Sequence, residues 1–150
     1  MSPVAVVLAY GATQLTYMLF SYPAGIISDK LGRWRVIGVG WAIYAAVYAG
    51  FAVTGSTGVW PLMALYGVYL ALTEGVGKAL IADHAPRDRR GAAMGMFSML
   101  NGLMMLVSSV VAGIVWDRMG PAATFWLGAG AASAALVLIP VLGASPSRRT

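Results

Sequence analysis

Glu74 and Lys78 stand four residues apart inside a long apolar stretch. At helical pitch that spacing puts an acid and a base on one face, close enough to pair. Both are deep in the stretch: counting back from Pro86 at 1.5 Å per residue, Lys78 is roughly 10 Å and Glu74 roughly 16 Å from its end. The neighbouring Leu62, Leu65, Val68, Leu70, Leu72, Val76, Leu80 and Ile81 offset roughly 2 to 5 kcal/mol in hydrocarbon, and two isolated charges would cancel that. The two side chains must therefore pair, face a wet cavity or, for Glu74, take up a proton. An acid that takes up a proton in a desolvated cavity is what proton-coupled movement of a solute requires. Lys78 can hold that acid ionised or attract an anion. A purely structural ion pair is the competing reading.

A second charged group, Gly25-Ile-Ile-Ser-Asp29-Lys30-Leu-Gly32-Arg33-Trp-Arg35, is wedged between two apolar runs. Each of these charges would cost roughly 2.5 to 3.5 kcal/mol at the centre of a membrane helix, so the segment is expected to be a short loop at a membrane surface. Asp29 is expected to meet the amino-terminal end of the helix that opens near Gly91, an interaction of about 0.3 to 1 kcal/mol when exposed. Arg33 is expected to bridge to Asp83, at the end of the stretch that holds Glu74. Gly25 and Gly32 permit close approach and a tight turn. Together these residues would latch the loop against its neighbours. The alternative is that the charges only anchor the loop in water.

The elements that must position these groups follow from composition. The chain has 150 residues, 59% hydrophobic and 10% charged, with 19 glycines. A soluble domain carries about a quarter of its residues as charges, so a water-soluble core is excluded. Breaks at Gly, Pro and charge clusters leave five spans, about 3–28, 36–54, 59–82, 91–116 and 122–142, each long enough for a hydrocarbon slab of about 30 Å. The expected fold is all-α, a multi-pass transmembrane bundle of about five helices in a single membrane domain over residues 1–150. Lys30, Arg33 and Arg35 follow the first span, Arg87, Arg89 and Arg90 the third, and Arg148 and Arg149 the fifth. The opposite side has the uncharged turn Gly55-Ser-Thr-Gly58 and a single Arg118 beside Asp117. The positive-inside bias makes the basic side cytoplasmic and puts the amino terminus outside. The first run lacks the basic region of a signal peptide, and so an outside start leads to the expectation of a missing upstream helix.

The net charge of +5 reads as topology signals and contacts for anionic lipid headgroups rather than nucleic-acid binding. There is no cysteine, and His84 is the only histidine, so no thiolate or histidine metal site is available. No phosphate-binding glycine loop or serine elbow is present. No cofactor and no enzymatic activity are expected.

Gly-x-x-x-Asp-Lys-x-Gly-Arg-x-Arg between two membrane helices resembles the signature loop of the major facilitator superfamily. Ala79-Leu-Ile-Ala-Asp83-His-Ala-Pro86-Arg-Asp-Arg-Arg90-Gly91 resembles the connection between the tenth and eleventh helices of bacterial members. The resemblance aligns the whole chain with helices eight to twelve, a carboxy-terminal half without its first helix. It implies a secondary transporter that moves a small solute by alternating access, coupled to protons, in a cell membrane, with the bacterial inner membrane expected. It also implies that the eighth, tenth and eleventh helices line a cavity while the ninth and twelfth brace it. Consistent with that division, the second and fifth spans carry no charged residue. Glu74 would be the coupling acid, with Lys78, Gln14, Tyr17 and Asn101 facing the solute. Gly25, Asp29, Lys30, Gly32, Arg33 and Asp83 would form the cytoplasmic gate. Because the path in that family runs between two six-helix halves, five helices need a missing amino-terminal half or a second copy. A non-transporting membrane interaction protein or a remnant is the alternative.

Finer features complete the expectation. Tyr10, Gln14 and Tyr17 share a stripe of the first helix. Gly91, Gly95, Ser98, Gly102, Ser109 and Gly113 form a small-residue seam on the fourth span, which predicts a tightly opposed neighbour within the bundle. Pro23 is expected to kink the first helix. Gly113-x-x-x-Asp117-Arg118-x-Gly120 echoes the charged loop weakly, on the opposite side.

Overall fold

A computed structural model of the protein describes residues 2–54 and 58–143, with side chains to residue 139. Most of the Gly55–Gly58 turn, and Arg148 and Arg149, lie outside the described residues. The described chain is helical throughout, without a strand. Ser2 caps α1 (Pro3–Leu31), its Oγ accepting from the Ala5 amide, and Pro3 occupies the first turn, where its missing N–H is not needed. There follow α2 (Arg33–Val53), α3 (Val59–Leu70), a π-helical turn at Ala71–Gly75, α4 (Val76–His84), a 3-10 turn at Arg87–Arg89, α5 (Arg90–Met119) and α6 (Pro121–Gly143). Counting α3, the π turn and α4 as one, five helices are long and apolar enough to cross a membrane. The protein is a multi-pass α-helical membrane protein.

The charged loop is shorter than the sequence suggests. Helix α1 runs on through Pro23 to Leu31 and α2 opens at Arg33, so Gly32 alone is non-helical. Its φ of +93° lies in the left-handed region, and its N–H donates to the Ser28 carbonyl at 3.1 Å. The charges thus ride on helix ends that project past the hydrocarbon, where their backbone bonds remain made. Gly120 repeats this geometry between α5 and α6, with φ +86° and its N–H on the Trp116 carbonyl at 2.9 Å. The echo between the two Gly-x-x-x-Asp segments is therefore a shared helix-ending device.

Helix α2 is the hub: it packs against α1, α3, α4 and, most extensively, α6. It has no charged residue beyond its first turn, and its glycines admit neighbours. A Cβ at Gly40 would strike Leu72 and Thr73, and one at Gly50 would strike Leu62. At the α1–α3 crossing Gly67 lies against the Thr13 carbonyl, Thr16 and Tyr17. Thr13 is buried there, and its hydroxyl donates to the carbonyls of Ala9 at 3.2 Å and Met63 at 2.9 Å, tying the two helices together. Rings of Trp41, Tyr44 and Tyr48 on α2 interleave with Tyr66 and Tyr69 on α3 and Phe125 on α6. Tyr44 stacks on Tyr48 at 4.1 Å between centroids and lies 4.7 Å from Tyr69. Such pairs contribute about 0.5 to 1.5 kcal/mol each beyond burial.

Helix α5 corrects an expectation. It touches α4, the 3-10 turn and α6, but neither α1 nor α2, and none of its residues is buried. A Cβ added at Gly91, Gly95, Gly102 or Gly113 would meet nothing within 4 Å. The small-residue seam therefore has no partner among the described residues, and the close-packed faces are those of α2 and α3. A stripe of small residues marks a face that can be approached closely but does not say by which helix.

Gly67→Ala is expected to lower stability in detergent by about 1 to 3 kcal/mol, the usual range for overpacking a tight contact. Gly77→Ala, where a Cβ meets open space, should be neutral or slightly stabilising by helix propensity. Parallel thermal unfolding of the two variants checks the contrast.

Candidate functional site

The π turn carries Glu74, and α4 begins one residue after Gly75. Such a turn inserts one extra residue into the helix and recurs at functional sites. Its wall is fixed from behind: the Thr73 methyl sits over Gly40, and its hydroxyl donates to the Tyr69 carbonyl at 2.9 Å. Val76 is buried with Val36 and Ile37 of α2. Glu74 and Lys78 lie two residues either side of Val76, roughly half a helical revolution away, so they point from the opposite face, away from α2. There Lys78 Nζ meets Glu74 Oε1 at 2.8 Å. Their side chains keep 46% and 49% of their exposure, so the pair is not sealed by this chain. Helices α1 and α5 each contact α4 without contacting each other. An exposed charge pair at membrane depth is compatible with water or protein against it and not with lipid tails.

The second cluster centres on Arg33. Its Nε donates to Asp83 Oδ2 at 2.8 Å, its Nη1 donates to Ser28 Oγ at 2.9 Å, and Nη1 also forms an ion pair with Asp29 Oδ1 at 2.8 Å. One planar guanidinium thus joins the end of α1, the start of α2 and the end of α4. Ser28 is buried and relays the contact, its hydroxyl donating to the Gly25 carbonyl at 2.8 Å. Asp29 does not meet the start of α5, as the sequence suggests, because α1 and α5 are not in contact. The shortness of the α1–α2 connection puts Arg33 one helical turn from Asp29, and Arg33 takes the carboxylate instead. Behind Arg33 lies a cavity of about 190 Å³ between α1 and α4, lined by small residues including Ser21, Ala71, Gly75 and Ala79. It runs from the Arg33 cluster toward the π turn.

The sequence profile of a described family, the Major Facilitator Superfamily, matches residues 1–150. The chain belongs to the Major Facilitator Superfamily. An uncharacterised MFS-type transporter of Methanocaldococcus jannaschii is 38% identical over 127 residues, covering 84% of this chain and 31% of that protein. The Escherichia coli inner membrane transport protein YajR is 30% identical over 123 residues, 80% of this chain and 26% of its own length. The inner membrane metabolite transport protein YgcS of the same organism is 31% identical over 129 residues, with coverages of 85% and 29%. The chain therefore spans under a third of the length of these relatives. No solved structure is significantly similar to it.

The remaining candidates of this superfamily chain are spread unevenly. Tyr17 is half-buried on α1. Gln14 and Tyr10 are exposed, because the inward face of α1 is the one bearing Ala9, Thr13, Ala24 and Ser28. Within this chain the stripe therefore looks outward from the bundle. Asn101 is exposed on α5, and the structure does not bring it to Gln14 or Tyr17, since α5 makes no contact with α1. Lys30 is exposed beside the Arg33 cluster, and Gly25 and Gly32 stand at its base and its turn. His84 ends α4, its Nδ1 2.9 Å from the Leu80 carbonyl. Among the described residues no group of acids and histidines could hold a metal. Sequence reasoning missed Ser28, whose signal was its place inside the charged motif five residues before Arg33. It also missed the π turn, for which a Thr-Glu-Gly run among apolar residues is only a faint cue.

A double-mutant cycle of Arg33→Gln with Asp83→Asn should return a coupling of about 0.5 to 1 kcal/mol, as expected for a partly exposed, bidentate-capable pair. That coupling should shrink between low and high salt. Chemical unfolding of the four proteins at two ionic strengths measures both.

Proposed function

We propose that this chain is the section from the eighth to the twelfth helix of a secondary transporter that moves a small solute by alternating access, coupled to protons. The observation that carries the reading is the Glu74–Lys78 pair, half-exposed at a π turn within a helix long and apolar enough to cross a membrane. Glu74 is the coupling acid. In its ionised form it occupies Lys78, and on taking a proton from water at a carboxylate oxygen it releases the ammonium group, which can then attract an anionic group of the solute. Loss of that proton on the other side restores the pair. Tyr17, Gln14 and Asn101 supply polar contacts around the solute. The relatives named as transporters support this role, and the metabolite transport named for YgcS supports a small metabolite as cargo.

Arg33 with Asp29 and Asp83 acts as the cytoplasmic latch, with Gly25, Lys30 and Gly32 shaping it. It holds α1, α2 and α4 together in one state and parts in the other. The basic connections at Lys30–Arg35 and Arg87–Arg90 support a cytoplasmic placement for that side, with the amino terminus outside, in the cell membrane. A path needs more helices than these five, supplied by an amino-terminal half or a second copy.

Proteoliposomes holding the intact protein that carries this chain, loaded with a pH-sensitive dye, test the reading against a panel of small organic acids, sugars, amino acids and amines. At least one solute should change the internal pH, and Glu74→Gln should reduce that signal to the level of empty vesicles while leaving thermal stability within about 1 kcal/mol of the parent, the scale of an exposed ion pair. A Glu74→Gln variant that changes stability alone, with solute-driven pH change intact, would falsify the role and favour a structural ion pair.

A further inference from the structure

We infer that the cleft around Lys30, Trp34 and Arg35 binds the headgroup of an anionic phospholipid. The cleft is a shallow, wide-open recess of about 460 Å³ where α1 turns into α2 at Gly32. Of the charged groups that line it, Arg33 and Asp29 are committed to each other, and Arg33 also to Asp83. Lys30 and Arg35 share the cleft with them and form no ion pair among the described residues. Two cations without acids therefore line one opening, and neither bonds to Arg33, Asp29 or Asp83.

The surroundings favour a lipid over a soluble anion. Lys30 follows Ile26 by one helical turn on α1, and Arg35 precedes Val39 by one turn on α2. Ile26 and Val39 are exposed, at 40% and 54%. Residues four apart share a helix face, so on both helices a cation at the boundary surmounts an exposed apolar side chain on the membrane side. That is the profile of a phosphodiester with acyl chains beneath it. Trp34, half-buried between the two cations in sequence and lining the same cleft, offers the amphipathic ring that settles at the headgroup level. A free phosphate would use the cations but leave the apolar track and the indole without a role.

Native mass spectrometry of the intact protein that carries this chain, titrated with phosphatidylglycerol or phosphatidylcholine, tests the site. One phosphatidylglycerol should be retained where phosphatidylcholine is not. Removing both cations as K30Q with R35Q should weaken that binding about thirtyfold, whereas K30R with R35K, and R87Q with R90Q on the next basic connection, should each stay within about threefold of the parent. The charge-retaining variant separates loss of the site from loss of the fold. Equal weakening by the Arg87 and Arg90 changes would reduce the effect to diffuse surface charge and overturn the proposal. So would displacement of the lipid by millimolar inorganic phosphate, which would assign the cleft to a soluble anion.

Discussion

Hydrocarbon offers no hydrogen-bond partner, and every feature of this fold is an answer to that constraint. Backbone groups are satisfied within helices that run nearly without interruption, the one-residue joints at Gly32 and Gly120 being the extreme cases. Among the described residues, charges occur near helix ends and, with Glu74 and Lys78, on a face that the chain itself leaves open. Helix α2, free of charge beyond its first turn, can be surrounded by α1, α3, α4 and α6, and it becomes the centre of the bundle. Polar atoms that do enter the packed region are paired locally, as with the Thr13 and Ser28 hydroxyls on neighbouring carbonyls.

The π turn joins packing to chemistry. Its back is held by Gly40, which accepts Thr73 at a distance no larger residue would allow, and its front displays Glu74. The cavity behind Arg33 ends near the same turn. The Arg33 cluster at the boundary joins the ends of α1, α2 and α4, and the charge pair at depth stands on the same α3–α4 helix, which packs against α1. A sliding of α1 against that helix would strain the Arg33 cluster, which holds a carboxylate from each. Small side chains along this contact, among them Gly67, Ala71 and Ala79, make it a surface on which movement meets little side-chain interlock.

The partial exposure of Glu74 and Lys78 and the sparse packing of α5 belong to the same description. Helix α5 exposes its apolar side chains and its glycines alike, and the relatives are more than three times as long as the matched region.

The sequence by itself determined the features that depend on near neighbours along the chain. The five spans are set by apolar runs between charges, and the Glu74–Lys78 pair by a four-residue spacing. The turn at Gly32 is marked by the one residue type that takes its backbone angle without strain. The Arg33–Asp83 contact was also legible, because both residues sit at the ends of their spans on one side of the membrane and few partners compete there. Tertiary structure decided what depends on which face meets which helix. Asp29 turned to Arg33 rather than to α5, Thr13 rather than Gln14 became the inward polar group of α1, and the close-packed glycines proved to be those of α2 and α3. Only the folded chain revealed the π turn, which is a matter of register against Gly40. Periodicity reports that a face is polar or small; the identity of its neighbour is fixed by packing among helices far apart in sequence, which no single helix encodes.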